Sequence, residues 1–259
     1  MKKTIAILAV AGLAAMANAQ NTKLVFEVSN DAGATWGSNV SVTPGATVYV
    51  RTRVQLVNAG TNTVLGLAGI TFQPTLTNFK AADVRNAFDN EATGAGTSEN
   101  PQTNTGRILP FSSAGMGPAS ASGLLTGHRD PGDILRFAGA NATGPVPGGP
   151  SNNLAHGVNS AQTPRSIGGS NFREGTDVVV FRYAITINDA TVRDMVAGIG
   201  QGAVQNNRGS WYRTDAGTGS LLASMTESQS ATIHVVEVPA PGALALLGLG
   251  GMVAARRRR

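Results

Sequence analysis

The last 22 residues of the chain impose the strongest constraint on its fold, because they do not read as part of a globular unit. A proline-containing segment comes first, in which Pro239 and Pro241 lack backbone donors and fix φ, so it cannot extend a β-sheet. An apolar run then begins at Gly242 and ends at Ala255, with only Gly, Ala, Leu, Val and Met. Since a soluble helix would show polar residues at a period of about 3.6, this run predicts a membrane-spanning helix.

Four arginines follow the apolar run and predict its orientation. Arginines beside a membrane segment favour the cytoplasmic side, so we expect a stop signal that leaves the preceding residues outside. The stop is formed by Arg256, Arg257, Arg258 and Arg259. As a helix, residues 242–255 would extend about 21 Å, which is less than the ~30 Å hydrocarbon core. We therefore expect a short anchor in the inner membrane that suits a temporary attachment.

The three parts together resemble the PEP-CTERM sorting signal, which combines a Pro-Glu-Pro-like motif, a short transmembrane helix and a basic end. The motif is carried here by Val238, Pro239, Ala240 and Pro241, with Ala240 where the family usually has Glu. The resemblance covers about a tenth of the chain. It implies recognition by an exosortase-like processing enzyme, cleavage near the motif, and delivery to the cell surface or extracellular matrix.

The other end of the chain predicts a signal peptide. Lys2 and Lys3 precede an apolar run over residues 5–16, and small residues at positions 17 and 19 fit a signal-peptidase site. We place the cleavage between Ala19 and Gln20. Because cations flank both apolar segments, residues 20–237 are predicted to be exported.

The basic character of the chain resides in these two ends. The formal net charge is +5, but Lys2, Lys3 and the four terminal arginines are six of the 20 basic residues. The remaining 14 basic residues face 15 acidic ones, all of which lie in the body. The basic residues of the body form no run, so we expect no nucleic-acid partner.

Composition predicts an all-β body. The chain contains no cysteine, which excludes disulfides and thiolate metal sites, so residues 20–237 must be held together by their core. With 33 Gly, 12 Pro and only 14% charged residues, the chain suits short strands joined by long loops. We predict one antiparallel β-sandwich domain, immunoglobulin-like or jelly-roll-like, with about eight to eleven strands.

Local patterns place several strands and two short helices. Residues 46–57 alternate between apolar and polar side chains, which predicts one buried and one wet face. Residues 177–188 are rich in β-branched and aromatic side chains and predict a central strand. Residues 81–88 suggest a short helix, and Asp189 could cap a second one over residues 190–199.

Residues 29–36 fit the S-x-D-x-G-x-T-W pattern of the Asp-box. The pattern positions are Ser29, Asp31, Gly33, Thr35 and Trp36. Asp31 can accept N–H bonds across a hairpin turn, Gly33 can adopt positive φ, and Trp36 can fold back as an apolar lid. Asp-boxes are known from sialidases and other β-propellers, where several copies occur. This chain has one copy and no internal repeat, so the motif predicts a turn rather than a propeller.

Little in the sequence points to catalysis or to a cofactor. The three histidines are isolated, and a Ser-His-Asp triad would have to be assembled from distant residues. Asp130 and Asp133, around a Pro-Gly turn, offer a weak possibility of Ca²⁺ binding, with a solvated turn as the alternative. The carboxylates available to a glycosidase include Asp83, Asp89, Glu91 and Glu174, but no pair stands out.

Two hypotheses follow for the function. The first is a non-enzymatic surface or matrix protein, structural, adhesive or glycan-binding, with extracellular polysaccharide as a possible partner. A sugar platform would need exposed aromatics, and the candidates are Trp36, Trp211 and Tyr212, although burial of Trp211 is the better expectation. The alternative is a secreted hydrolase that acts on polysaccharide in a cleft lined by the loops.

Overall fold

A computed structural model of the chain describes residues 20–60, 62–86, 106–108, 110–111, 125–139, 158–168, 172–200, 208–216 and 220–238. Within these residues the fold is all-β, with a single one-turn helix. In chain order the elements are β1 (Asn21–Ser29), β2 (Asn39–Val42), β3 (Thr47–Val57), β4 (Gly66–Phe72), β5 (Pro74–Leu76), β6 (Val84–Arg85), β7 (Leu125–Asp130), β8 (Ile134–Gly139), β9 (Val158–Ala161), α1 (Arg165–Gly168), β10 (Asp177–Thr186), β11 (Arg193–Ile199), β12 (Arg208–Tyr212), β13 (Ser220–Gln229) and β14 (Ala231–Val235).

The strands form two sheets that pack face to face, which confirms the predicted sandwich. The eight-stranded sheet has the order β6-β10-β3-β1-β13-β12-β4-β9, and the six-stranded sheet has the order β2-β14-β11-β5-β8-β7. One hydrophobic core contains side chains from both sheets. Phe137 of the smaller sheet meets Phe181 and Tyr183 of the larger one, with ring centroids 5.5 and 4.3 Å apart.

The alternation read from residues 46–57 is confirmed in β3. Its burial alternates along the whole strand, so that Val48, Val50 and Val54 are fully buried while Tyr49 and Arg51 reach the outer face. A period of two places successive side chains on opposite faces of a sheet. β3 therefore supplies core on one side and a polar surface on the other.

The prediction of a purely antiparallel sandwich is wrong for two strand pairs. β1 pairs with β13 in parallel, and β2 pairs with β14 in parallel. Hairpin-linked neighbours must be antiparallel, but the first and last strands of a domain are not consecutive and can run the same way. Only Ser230 separates β13 from β14, and one residue cannot reverse the chain, so this long strand passes from one sheet into the other.

Neither predicted helix forms within the described residues. Residues 193–199 are strand β11, in which Met195 and Ala197 are buried at a spacing of two. That alternation is a strand period, and pairing with β14 and β5 outweighs the helix propensity of Ala and Met. The described part of residues 81–88 is a turn followed by the two-residue strand β6.

β10 is formed as predicted but is not central. It is the second strand of the eight-stranded sheet, counted from one edge. On the side away from β3 it pairs with the short edge strand β6, and Phe181 forms an isolated bridge with Arg107. The described residues contain fourteen strands, more than expected, because β7 and β9 and the short β5 and β6 carry little local signal.

The predicted signal peptide and the predicted anchor, residues 1–19 and 239–259, lie outside the described residues. So do residues 112–123 and 141–150, for which a composition rich in Gly, Ser and Pro predicts long surface loops. In the part of the chain that is described, no helix is long and apolar enough to cross a bilayer.

Candidate functional site

The Asp-box residues form a closed hydrogen-bonded turn between β1 and β2. The Ser29 hydroxyl donates to Asp31 Oδ1 at 2.6 Å and accepts the Gly33 N–H at 2.9 Å. The Asp31 carboxylate also accepts the Thr35 N–H at 3.0 Å and the Thr35 hydroxyl at 2.5 Å. These hydrogen bonds, first those from Ser29 and Thr35, hold the pKa of Asp31 well below its usual range. Asp31 is therefore kept ionised as an acceptor for the turn.

Trp36 completes the turn as a lid. Gly33 has φ +87°, and a Cβ placed on it would lie 3.0 Å from Trp36 Cζ2, so glycine is needed both for the backbone and for the ring. The Arg51 guanidinium carbon lies 4.4 Å from the centroid of the Trp36 ring, in cation–π geometry. The ring thus joins the turn to the outer face of the large sheet, and the predicted role of the motif as a turn device fits its geometry.

An ordered ladder of charges crosses the outer face of the eight-stranded sheet. Arg51 Nε donates to Glu27 at 2.6 Å, and Arg53 Nη1 donates to the other oxygen of Glu27 at 2.9 Å. Arg53 also makes two hydrogen bonds to Asp177, which accepts a third from Gln55. We call Glu27, Arg51, Arg53, Gln55 and Asp177 the charged face.

The register of three strands produces the charged face. β1 and β10 both pair with β3, so that Glu27 lies opposite Arg51 and Asp177 lies opposite Gln55. Asp177, followed by Glu27, raises the pKa of Arg53 above its ordinary value. All four charged side chains are partly exposed, between 15% and 39%. The face is thus a fixed, solvent-accessible array of hydrogen-bond donors and acceptors.

A second set of charges is buried at one end of the sandwich. Arg193 Nη2 donates to Asp83 at 2.6 Å, and their side chains are only 5% and 0% exposed. Asp83 also accepts backbone N–H bonds from Lys80, Asn188 and Asp189 at 2.8, 3.0 and 3.1 Å. We call this arrangement the clamp. It ties the segment before β6 to the segment before β11, so Asp83 is a structural group rather than a catalytic carboxylate.

Asp130 and Asp133, the weak candidates for calcium binding, both form ion pairs with cationic side chains. Asp130 accepts two hydrogen bonds from Arg136, at 2.6 and 2.7 Å. Asp133 binds Lys80 and Arg129, each at 2.7 Å, and these partners, Lys80 first, lower its pKa. Of the described residues, no group of three or more His, Asp or Glu side chains could hold a metal ion. These aspartates act here as ion-pair partners around the β7–β8 turn.

The three aromatic residues considered for a sugar platform all contact other parts of the fold. Trp211 is fully buried, as the better expectation had it, and its indole N–H donates to Thr22 at 3.2 Å. The Tyr212 hydroxyl donates to the Gln162 carbonyl at 3.0 Å, and its ring packs at 6.0 Å from that of Phe172. Since Trp36 is held by Arg51, all three rings have structural partners.

One row of side chains has the residue types of a hydrolytic triad. Ser41, His234 and Asp194 are side by side on adjacent strands of the small sheet, and His234 Nδ1 lies 2.7 Å from Asp194 Oδ1. No hydrogen bond joins the two described residues Ser41 and His234, and the His234 and Asp194 side chains are 40% and 65% exposed. A nucleophile needs contact with its base and a water-poor site, so this row lacks the geometry of a catalytic centre.

The remaining carboxylates considered for a glycosidase do not converge. Glu174 pairs with Arg165 at 2.5 Å on the surface, whereas Asp83 is buried and pairs with Arg193 in the clamp. Asp89 and Glu91 lie outside the described residues. No pair of acids with opposed environments is formed by the described candidates.

The body releases the predicted sorting tail directly from its last strand. β14 ends at Val235, and the last backbone hydrogen bond along the described residues runs from the Val236 N–H to the Val42 carbonyl at 2.9 Å. Val236 and Val238 are then exposed to 38% and 61%. Val238, the first residue of the predicted sorting motif, therefore stands outside the globule.

Comparison with known proteins gave structural likenesses only. No protein-family model and no curated protein sequence matches the chain. Among solved structures, the seventh ScaB type I cohesin from Pseudobacteroides cellulosolvens is 9% identical, with a TM-score of 0.39 over 85% of this chain and 96% of that one. The type II cohesin A11 from Bacteroides cellulosolvens is 12% identical, with a TM-score of 0.40 over 83% and 99%. Likeness at this level defines neither a family nor a function for the chain.

Proposed function

We propose that the protein is an exported, non-enzymatic module of the cell surface or extracellular matrix, with a structural, adhesive or glycan-binding role. Its C-terminal tail serves as the sorting signal. The observation that carries the proposal is the exit of the chain at Val236, where the fold ends and Val238 is exposed. A processing enzyme of the exosortase type needs access to a segment without secondary structure. We expect residues 238–241 to meet that need, because Pro239 and Pro241 lack the backbone donors that a sheet requires.

The chemistry of the described residues supports a role without catalysis. Each carboxylate with a shifted pKa, namely Asp31, Asp133 and Asp189, is shifted downward by hydrogen bonds or cations in a turn. A general acid would need a pKa raised towards the working pH. These three carboxylates are thus arranged to stay ionised and to hold turns.

The charged face is the surface that we assign to adhesion. Its guanidinium and carboxylate groups are fixed by cross-strand bonds, so little side-chain entropy would be lost when they bind hydroxyl or acidic groups of a polysaccharide. The absence of free aromatic rings among Trp36, Trp211 and Tyr212 favours binding by hydrogen bonds over stacking.

The sorting proposal is tested by mass spectrometry of the mature protein from fractionated cells. We expect an N-terminus at Gln20, a C-terminus within residues 238–241, and recovery in the surface or matrix fraction. A variant with Arg256, Arg257, Arg258 and Arg259 all changed to Gln should lose the stop signal and leave the chain unprocessed. Recovery of a soluble cytoplasmic protein that still ends at Arg259 would refute the proposal.

The adhesive role is tested separately on the charged face. Changing both Arg51 and Arg53 to Gln should release the sorted protein from the matrix while its processed ends stay the same. Arg165→Gln is the matched control, because Arg165 is an exposed arginine in a surface ion pair elsewhere. Equal release of the control variant from the matrix would show that loss of any surface arginine weakens attachment, and would refute the adhesive role of the charged face.

A further inference from the structure

Two ends of the sandwich can be distinguished by the direction of its strands. β1 begins beside the end of β3, where Gln20 binds the Ala59 carbonyl, and β13 runs parallel to β1 from that same end. Because β14 continues in the direction of β13, Val235 lies at the opposite end. The distance from Ser224 to Val235 along this path is about 36 Å at the rise of an extended strand. Gln20 and Val238 therefore leave the body at opposite ends.

The described part of the chain leaves four large hydrophobic side chains exposed, and all four belong to the end at which Val238 leaves. They are Val84, Val192, Val236 and Val238, with exposures of 49%, 56%, 38% and 61%. Val84 pairs with Thr186, where β10 ends beside the start of β3. Val192 directly precedes Arg193, which pairs with Val235. We call these four residues the tail-end surface.

The clamp draws the parts of the tail-end surface together. Asp83 and Arg193, the neighbours in sequence of Val84 and Val192, are joined at 2.6 Å. Of the acidic groups nearby, Asp189 binds Arg193 at 3.2 Å and Asp194 binds His234 at 2.7 Å. Glu237, between Val236 and Val238, is exposed and makes no ion pair with the described residues. The end of the sandwich thus presents four valines beside two paired carboxylates and one solvated carboxylate.

The chain leaves very little length between this end and the predicted anchor. Within the described part of the chain, which ends at Val238, Val236 is the last residue hydrogen-bonded to the sheet, and the apolar run begins at Gly242. The five residues between them can span at most about 18 Å when fully extended. Before the tail is cut, the tail-end surface must therefore lie within that distance of the bilayer, at a high effective concentration.

We infer that the tail-end surface is a membrane-contact surface, on which the unsorted protein rests against the lipid headgroup region with the Gln20 end pointing away. The inference rests on the proposed function, because it needs residues 242–255 to be an anchor. The short segment between Val236 and Gly242 brings these valines close to lipid, and partial burial of apolar side chains at the headgroup boundary is energetically favourable. The sorting motif would then be presented to its processing enzyme at the membrane surface.

The absence of cysteine from the chain allows a direct test with single-cysteine probes in the full-length protein. Ala190→Cys places a fluorophore on an exposed residue at the tail end, and Ala216→Cys places it on an exposed residue in the turn between β12 and β13, at the far end. The protein is reconstituted in phosphatidylcholine vesicles that contain nitroxide-labelled phosphatidylcholine. We expect most of the emission at position 190 to be quenched and the emission at position 216 to be unchanged.

A second variant tests the valines themselves. Val192→Asp should restore the emission of the probe at position 190 while the chain stays bound to the vesicles, because a charge resists burial in the headgroup region. Thr176→Asp, an exposed position at the far end, should change neither signal. Quenching that is unaffected by Val192→Asp would overturn the role of the surface.

The outcomes separate this inference from the proposed function. A full-length chain that fails to bind vesicles at all overturns the anchor, and with it the proposed function. A chain that binds but shows equal quenching at positions 190 and 216 overturns only the membrane-contact surface. Quenching at position 190 that appears only when the processing enzyme is added would show that the surface meets protein rather than lipid, and would overturn the inference as well.

Discussion

The clamp and the charged face use the same side-chain types in opposite surroundings. In the clamp, Asp83 and Arg193 are almost completely buried, and backbone N–H groups complete the coordination of the carboxylate. On the charged face, Arg53 bridges Glu27 and Asp177 while all three side chains remain in contact with water. A count of ion pairs would treat the two alike, but their contributions to stability should differ several-fold.

Burial explains the difference. Water screens the charged face, so breaking one of its pairs exposes groups that solvent can satisfy. In the clamp, removal of Arg193 leaves the buried Asp83 carboxylate without its cationic partner, and removal of the Asp83 charge leaves buried Arg193 with only the partly exposed Asp189, at 3.2 Å, as a counter-ion. The clamp therefore matters for holding the fold, whereas the charged face is ordered but hydrated and is available for recognition.

The largest expected effect comes from breaking the clamp. Asp83→Asn removes the buried carboxylate that binds Arg193 and leaves only Asp189, at 3.2 Å, to compensate that cation. We therefore expect a loss in the free energy of unfolding at the lower end of the range of about 3–5 kcal/mol. Denaturant titration followed by circular dichroism measures it. The matched control is Asp194→Asn, whose carboxylate pairs with His234 in an exposed position. Equal losses in the two variants would contradict the distinction between buried and exposed pairs.

A smaller effect is expected on the charged face. Arg53→Met keeps the aliphatic stem but removes the bonds to Glu27 and Asp177, and should cost about 1 kcal/mol because both pairs are solvated. Repeating the unfolding titrations in 1 M NaCl should abolish most of this loss and leave that of Asp83→Asn largely unchanged. A cost for Arg53→Met close to that of Asp83→Asn would show that the charged face holds the fold.

Among the described residues, three buried side-chain hydroxyls make no hydrogen bond, in contrast to the fully bonded Asp83, and that of Tyr183 is one of them. Its ring is enclosed by Phe137 and Phe181, and its hydroxyl, fully buried, makes no hydrogen bond. Burial raises the pKa of Tyr183 and keeps the hydroxyl neutral. Tyr183→Phe should therefore be neutral or stabilising by up to about 1 kcal/mol, read from the same denaturant titrations. A clear loss of stability would reveal a partner for this hydroxyl.

The parts of the fold that follow from the sequence are those governed by local rules. The alternation in β3 is visible over eleven residues, and it identified both the core face and the outer face that carries Tyr49, Arg51 and Arg53. The Asp-box turn lies within residues 29–36, so its sequence pattern alone predicted the acceptor role of Asp31. Period and turn chemistry need no knowledge of the rest of the chain.

The parts that sequence reasoning missed depend on distant pairing. Asp83 and Arg193 are 110 residues apart, and neither carries a local sign of a partner. The same holds for Asp177, which reaches Arg53 across 124 residues. β11 was predicted as a helix because Asp189 resembles an N-cap. Asp189 does accept the Thr191 N–H at 2.9 Å, but it caps a turn before a strand whose pairing is set elsewhere.

The smallest expected effect concerns Asp31, a fully exposed charge that contributes to stability through hydrogen bonds within its turn. In the folded Asp-box the pKa of Asp31 lies below the value of about 3.9 expected for an unfolded chain. A lowered folded pKa means that ionised Asp31 stabilises the turn above about pH 4 and that this contribution is lost as pH falls through the folded pKa. Asp31→Asn should therefore lower the melting temperature at pH 7, and the difference from the wild type should shrink at acid pH.

The difference between the two proteins is the quantity to follow, rather than either curve alone. Asp133 and Asp189 also have lowered pKa values, so both proteins will lose stability in acid for reasons unrelated to Asp31. Those losses cancel when melting temperatures are subtracted at each pH, because neither residue contacts the Asp-box in the hydrogen bonds described. Asn offers the turn one acceptor oxygen where Asp31 offers two. A difference in melting temperature that stays constant from pH 7 to pH 2 would mean that this lost acceptor, and not the charge of Asp31, determines the stability of the turn.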